Sequence, residues 1–199
     1  MRLPSPLCLK TPVLMRLLLT GLLAYAAPLA IASEAPPAAA LRASEGTTET
    51  TLPRRGSGLL RWKWLVRLYH VSLYLAPSAT DAVSAAPKRL RMDYLRGFSQ
   101  AEMARATDQT IGRNIDAATL LTLQPSLVKW NALYPAIKSG DYLEFDHLSE
   151  GTLIMRHNGT VLGVLVDEAF AQALFAIWIG ANPVDPELRD KLISGKGQR

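Results

Sequence analysis

The sequence predicts an α+β domain: an antiparallel sheet with a layer of helices on one face. Three observations carry that prediction. Residues 139–166 read as three short strands joined by two turns, an antiparallel meander. Two more alternating segments, 59–76 and 88–95, precede it. A helix over 168–179 follows the meander directly and is apolar on nearly every side, the mark of a helix buried on several sides. The simplest arrangement lays that helix across one sheet face, with other helices covering its back.

The chain's first part is read differently. Residues 13–32, VLMRLLLTGLLAYAAPLAIA, combine a basic start, a short run of Leu and Ala, and small residues at 30–32. This is the pattern of a secretory signal peptide cleaved after Ala32, and Met15 followed by Arg16 offers an alternative start. The apolar run falls short of the ~20 residues a spanning helix needs, so no stable transmembrane segment is expected after cleavage. Residues 1–32 carry Arg2, Lys10 and Arg16 and no acid, so their removal takes the formal charge from +5 to +2. The basic balance therefore says little about a nucleic-acid partner, and none is expected. Cys8 is the single cysteine and precedes the apolar run, so the mature chain would hold no disulfide. The expected destination is export, to the periplasm where there is one. Residues 33–52 read as a flexible linker of Pro, Ala, Ser, Thr and Glu, and 53–195 as one domain.

The elements follow in order. Leu60, Trp62, Trp64, Val66 and Leu68 alternate with Arg61, Lys63 and Arg67, which predicts a strand with one buried face. Beyond Leu68 the apolar set becomes Tyr69, Val71, Leu73 and Leu75, so a bulge or bend between two strands is expected there. Gly56 and Gly58 around Ser57 read as a turn. Leu90, Met92 and Tyr94 alternate in a third strand. Ser99 with Glu102 forms a capping box and opens a helix. Another helical region follows Pro125. Glu150-Gly151 and Asn158-Gly159 are the meander's turns, the second of type I′. Gly180 suits the end of the apolar helix, and Asp185-Pro186 the start of a last one.

Four stretches, GSGLLRWKWLVRLYHVSLYLAP, LRMDYLRGFSQAEMARA, IKSGDYLEFDHLSEGTLIMRHNG and FAIWIGANPVDPELRDKLI, occur in an order that resembles the chalcone isomerase-like family, most closely its bacterial exported branch. The resemblance implies an open-faced β-sandwich of the chalcone isomerase type, with a cleft between the sheet and its helices. It also implies two functional classes: isomerases that cyclise a chalcone through an arginine, hydroxyl groups and bound water, and members that bind fatty acids or catalyse nothing known. Laid on this chain, the enzymes' arginine falls near Ser57 and their threonine at Tyr69. Their tyrosine falls near Phe98, their asparagine near Arg105, and their late threonine or serine near Ile177. Phe98 and Ile177 cannot donate a hydrogen bond, so most of the isomerases' catalytic groups do not carry over.

The candidate ligand site is Tyr69 with an arginine, Arg67 or Arg61, holding a polar end, joined by Phe98 and Arg105 from the resemblance. Phe175, Ile177 and Trp178 of the apolar helix face the rest. The same residues read equally as a half-buried strand aromatic, a solvated strand face and a helix core. His70, His147 and His157 have no metal-ligand spacing, so no metal is expected, and no cofactor. Glu144 and Asp146 read as the outer, solvated face of their strand. The function expected is therefore non-catalytic binding of a small amphipathic molecule such as a fatty acid. An isomerase acting on a chalcone-like or enone substrate is the alternative, and a structural role at the cell envelope a second.

Overall fold

A computed structural model describes residues 52–195, apart from 64, 77–78 and 84–86. The expected signal peptide and nearly all of the linker lie outside the described residues. Six strands form the sheet: β1 (Arg54–Trp62), β2 (Val66–Leu75), β3 (Lys88–Tyr94), β4 (Tyr142–His147), β5 (Thr152–His157) and β6 (Thr160–Val166). Every pairing is antiparallel, and the order across the sheet is the order along the chain. Helices α1 (Gln100–Ile111) and α2 (Ala117–Ala132) fill the connection from β3 to β4, and α3 (Glu168–Ile179) and α4 (Pro186–Ser194) follow β6. This is the expected α+β architecture, an open antiparallel sheet with helices on one face.

One row across that face shows how the core forms. Leu73, Leu90, Phe145 and Met155 stand in register on β2 to β5 and are all buried. Trp130 of α2 meets the Phe145 ring edge-on at 5.2 Å, and Phe170 of α3 meets Trp130 at 6.0 Å. Every residue of α3 from Ala173 to Ile179 is buried. The helix is held at its start by Asp167, whose carboxylate accepts from the Phe170 backbone N–H.

Several expectations are corrected. The alternating stretch from Leu60 to Leu68 is not one strand. A turn at Lys63, which has a left-handed φ of 46°, reverses the chain between β1 and β2. Trp62 and Val66 stand at its tip and are exposed, not buried. The expected bulge is present: pairing passes from Leu60↔Tyr69 to Arg61↔Arg67 and leaves Leu68 over. Gly56 and Gly58 are not a turn but part of β1. A side chain at Gly56 would lie 2.2 Å from the Lys191 carbonyl oxygen, and one at Gly58 2.5 Å from Leu188 Cδ1. The two glycines let α4 lie directly on the strand. Helix α2 begins before Pro125, not after it. Asp116 caps it by accepting from Thr119 N–H, and it ends before Tyr134.

The other sheet face is also not what alternation implies. Glu144 and Asp146 do point away from the helices, yet they are 8% and 4% exposed. Arg89 and Arg156 both bind Asp146, Arg91 lies 3.5 Å from Glu144 and 2.9 Å from Asp93, and its guanidinium stacks 3.6 Å over the Tyr142 ring. Long arginine stems cover the carboxylates, so the acids are shielded rather than solvated.

Candidate functional site

At the end of the core nearest the β1–β2 turn, the sheet presents a row of Leu60, Tyr69 and Tyr94 to the helices. The Tyr69 and Tyr94 rings lie 5.2 Å apart, and Phe98 meets Tyr94 edge-on at 5.6 Å. Phe98 is fixed just past β3 by a two-way backbone pairing with Ile137. From above, α3 drops Trp178 onto this group, and its Nε1–H donates to the Tyr69 hydroxyl at 2.9 Å. Phe145 touches Trp178 from the deeper side at 6.1 Å. A second phenol, Tyr134, shares a 2.9 Å hydrogen bond with Thr107 of α1.

The polar inventory is unbalanced. Tyr69 accepts from Trp178, but among the described residues no acceptor takes its own proton. Tyr94 is 2% exposed, and its hydroxyl reaches only the Met92 sulfur at 4.0 Å, a weak acceptor. Buried hydroxyls ordinarily find an oxygen or nitrogen partner. Here, among the described residues, neither of two neighbouring phenolic protons has an oxygen or nitrogen acceptor. Burial pushes the Tyr69 and Tyr94 phenols well above their ordinary range. Tyr134 is pushed up to about 12 by burial, against its hydrogen bond with Thr107. All three stay protonated near neutral pH and act as donors, not as bases.

The expected site residues divide. Tyr69, Trp178 and Phe98 are brought together with Tyr94, and Ile177 is buried in the same core. Arg61 and Arg67 pair across the exposed turn and are solvent-facing. Arg105 is exposed on α1. Ser57 pairs with Ser72, while its neighbours Gly56 and Gly58 face α4. Phe175 belongs to the far end of the core. There its ring lies 4.9 Å from Lys88 Nζ and 5.9 Å from the His147 ring.

Tyr94 was legible in the sequence only as a core position. Its role beside Tyr69 depends on the β2–β3 register, which nothing local fixes. The far-end pair was missed for a related reason. Lys88 and His147 are fully buried, because they stand between Leu75 and Leu153 on the helix-facing side. Burial pushes Lys88 down to about 8, against the pull of Glu168 and Asp81. His147 is lowered mainly by burial, opposed by its 3.1 Å contact with Glu168. Among the described residues no group of three or more His, Cys, Asp or Glu side chains is arranged to hold a metal ion. No helix among them is long and apolar enough to cross a membrane.

The comparisons agree with this architecture. A search of curated proteins finds no match. Among solved structures the chain is similar to the fatty-acid binding protein of Arabidopsis thaliana, with a TM-score of 0.62 and 13% identity over 74% of this chain and 89% of that one. At that identity the likeness is one of fold. The family described as chalcone isomerase-like matches residues 39–194, which takes in β1 to β6 and α1 to α4. With most of its length inside that match, the chain belongs to the chalcone isomerase-like family.

Proposed function

We propose that this protein binds a small amphipathic molecule with an acidic or carbonyl end, such as a fatty acid, and does not transform it. The observation that carries the reading is the half-buried Tyr69 phenol beside the buried Tyr94 phenol, whose protons find no oxygen acceptor among the described residues. A carboxylate between them would accept from Tyr69, from Tyr94 and from Trp178 Nε1–H. Trp178 Nε1–H and the Tyr69 hydroxyl meet there, with the Tyr94 ring 5.2 Å from that of Tyr69, within a largely apolar wall, the composition of a ligand pocket. In this reading the ligand enters by replacing the Trp178–Tyr69 bond. The fatty-acid binding protein of the same fold supports this choice of ligand. The isomerase alternative is weaker, because neutral phenols make poor bases and Phe98 and Ile177 supply no donor.

Native mass spectrometry of the chain as cells produce it tests occupancy, with a discrete added mass expected that solvent extraction removes. Titration with oleate tests the site. Tyr69→Phe should weaken binding about 10- to 100-fold, the range for a hydrogen bond to a charged group. Unchanged affinity removes Tyr69 from the site, and no oleate binding by the unaltered protein overturns the reading. Export to the periplasm is part of the proposal. It predicts that the protein recovered from its native cells begins at residue 33.

A further inference from the structure

We infer that the tip of the β1–β2 hairpin is an anchor for an anionic phospholipid surface. Four apolar side chains there are exposed to solvent. Trp62 is 56% exposed, Leu65 74%, Val66 36%, and Leu95 37%. Leu95 belongs to the same end of the sheet, since its backbone N–H donates to the Leu68 carbonyl at 2.9 Å. Isolated exposed apolar residues are ordinary, but four at one strand end are not.

Cations ring this tip. Arg61 and Arg67 face one another across the hairpin, Lys63 holds the turn between them, and Arg96 follows Leu95. No carboxylate among the described residues forms an ion pair with any of the four. The sequence explains why: from Thr50 to Thr80 the chain carries five Arg and Lys residues and no Asp or Glu. On the open sheet face, by contrast, Arg89, Arg91 and Arg156 are each paired with a carboxylate.

The shape selects the partner. A stable protein interface covers a broad area, about 800 Å² on each side, whereas this patch is the narrow end of a two-stranded ribbon. A bilayer suits a narrow projection. Trp and Leu enter the headgroup–acyl boundary while Lys and Arg keep their charges among the phosphates. Lys63 already lies against the Trp62 ring, its Nζ 4.7 Å from the centroid, so the ammonium and the indole would sit at one depth. The turn is tied by the Leu65 N–H to the Lys63 carbonyl at 2.7 Å, which holds Leu65 outward without a folding cost on contact. This inference rests on the hairpin alone and stands or falls apart from the cleft reading.

Vesicle partitioning tests it. Full-chain protein is mixed with vesicles of zwitterionic lipid, with and without a quarter phosphatidylglycerol, some carrying brominated acyl chains. Tryptophan quenching by the bromine is expected, with tighter partitioning onto the anionic vesicles. Trp62→Ser with Leu65→Ser should weaken partitioning at least about tenfold and reduce the quenching accordingly, with an unchanged circular dichroism spectrum. Lys63→Gln with Arg67→Gln should cost about 30-fold on anionic vesicles, about fivefold per cation, and little on neutral ones. Equal partitioning of the Trp62/Leu65 variant and the unaltered chain overturns the inference, because binding would then come from another segment. Absence of quenching, or equal affinity for neutral and anionic vesicles, also overturns it.

Discussion

Lys88 should make this protein more stable as the medium becomes alkaline. Its ammonium is fully buried on the helix-facing side of β3, donates to the Val83 carbonyl, and has the Phe175 ring 4.9 Å away. Burial lowers its pKa from 10.5 to about 8. Between those values the unfolded chain holds the proton and the folded chain has released it. Unfolding therefore takes up a proton, and stability rises with pH across that window. From pH 8 to pH 10 the gain is roughly 2 kcal/mol, at about 1.4 kcal/mol per unit of pKa difference. Above about pH 10 the trend reverses, because the raised phenols of Tyr69, Tyr94 and Tyr134 ionise more easily in the unfolded chain. Urea denaturation followed by circular dichroism at pH 7, 8, 9 and 10 measures the slope. Lys88→Met fills much the same volume, should be at least as stable at pH 7, and should lose the rise. If the methionine variant keeps the same rise, Lys88 is not its source and the account of its burial is wrong.

Two other perturbations have a clear direction. Gly58→Ala pushes a methyl group against Leu188 Cδ1, which a small movement of that side chain can relieve, so a loss of about 1–3 kcal/mol is expected. Gly56→Ala meets the backbone carbonyls of Lys191 and Leu192 and should cost more; thermal melts of the two variants check the order. Asp146→Asn removes the shared partner of Arg89 and Arg156 from beneath their stems, and should cost about 2–4 kcal/mol in a urea titration. A neutral result would show that the arginines' own packing covers that face without the carboxylate.

Much of the fold was legible because its signals are local. Asn158-Gly159, both at positive φ, mark the β5–β6 turn, and the Ser99–Glu102 box marks the start of α1. Asp167 and Asp185 cap α3 and α4 where the apolar pattern places them. The β1–β2 turn was not legible, since Lys63 adopts a left-handed conformation with no Gly, Asn or Asp beside it to announce the reversal. Pro125 hid the first half of α2. Proline usually ends a helix pattern, but here Leu123, Leu127 and Trp130 fix the helix on both sides of it. The site was legible as single residues, Tyr69 and Trp178, but not as a bonded pair. Their meeting across the chain is set by how α3 lies on the sheet, and no spacing encodes that. Phe175 shows the same limit: its apolar helix is plain in the sequence, yet which end of the core it fills is not.

The contact of α4 with Gly56 and Gly58 also sets a timetable. On a chain made from its N-terminus, β1 is completed long before the helix that covers it. Until then the face bearing Gly56 and Gly58 is bare, a strand surface open to other chains. A chain that stops before Asp185 would keep that face uncovered, and should reveal itself by aggregating.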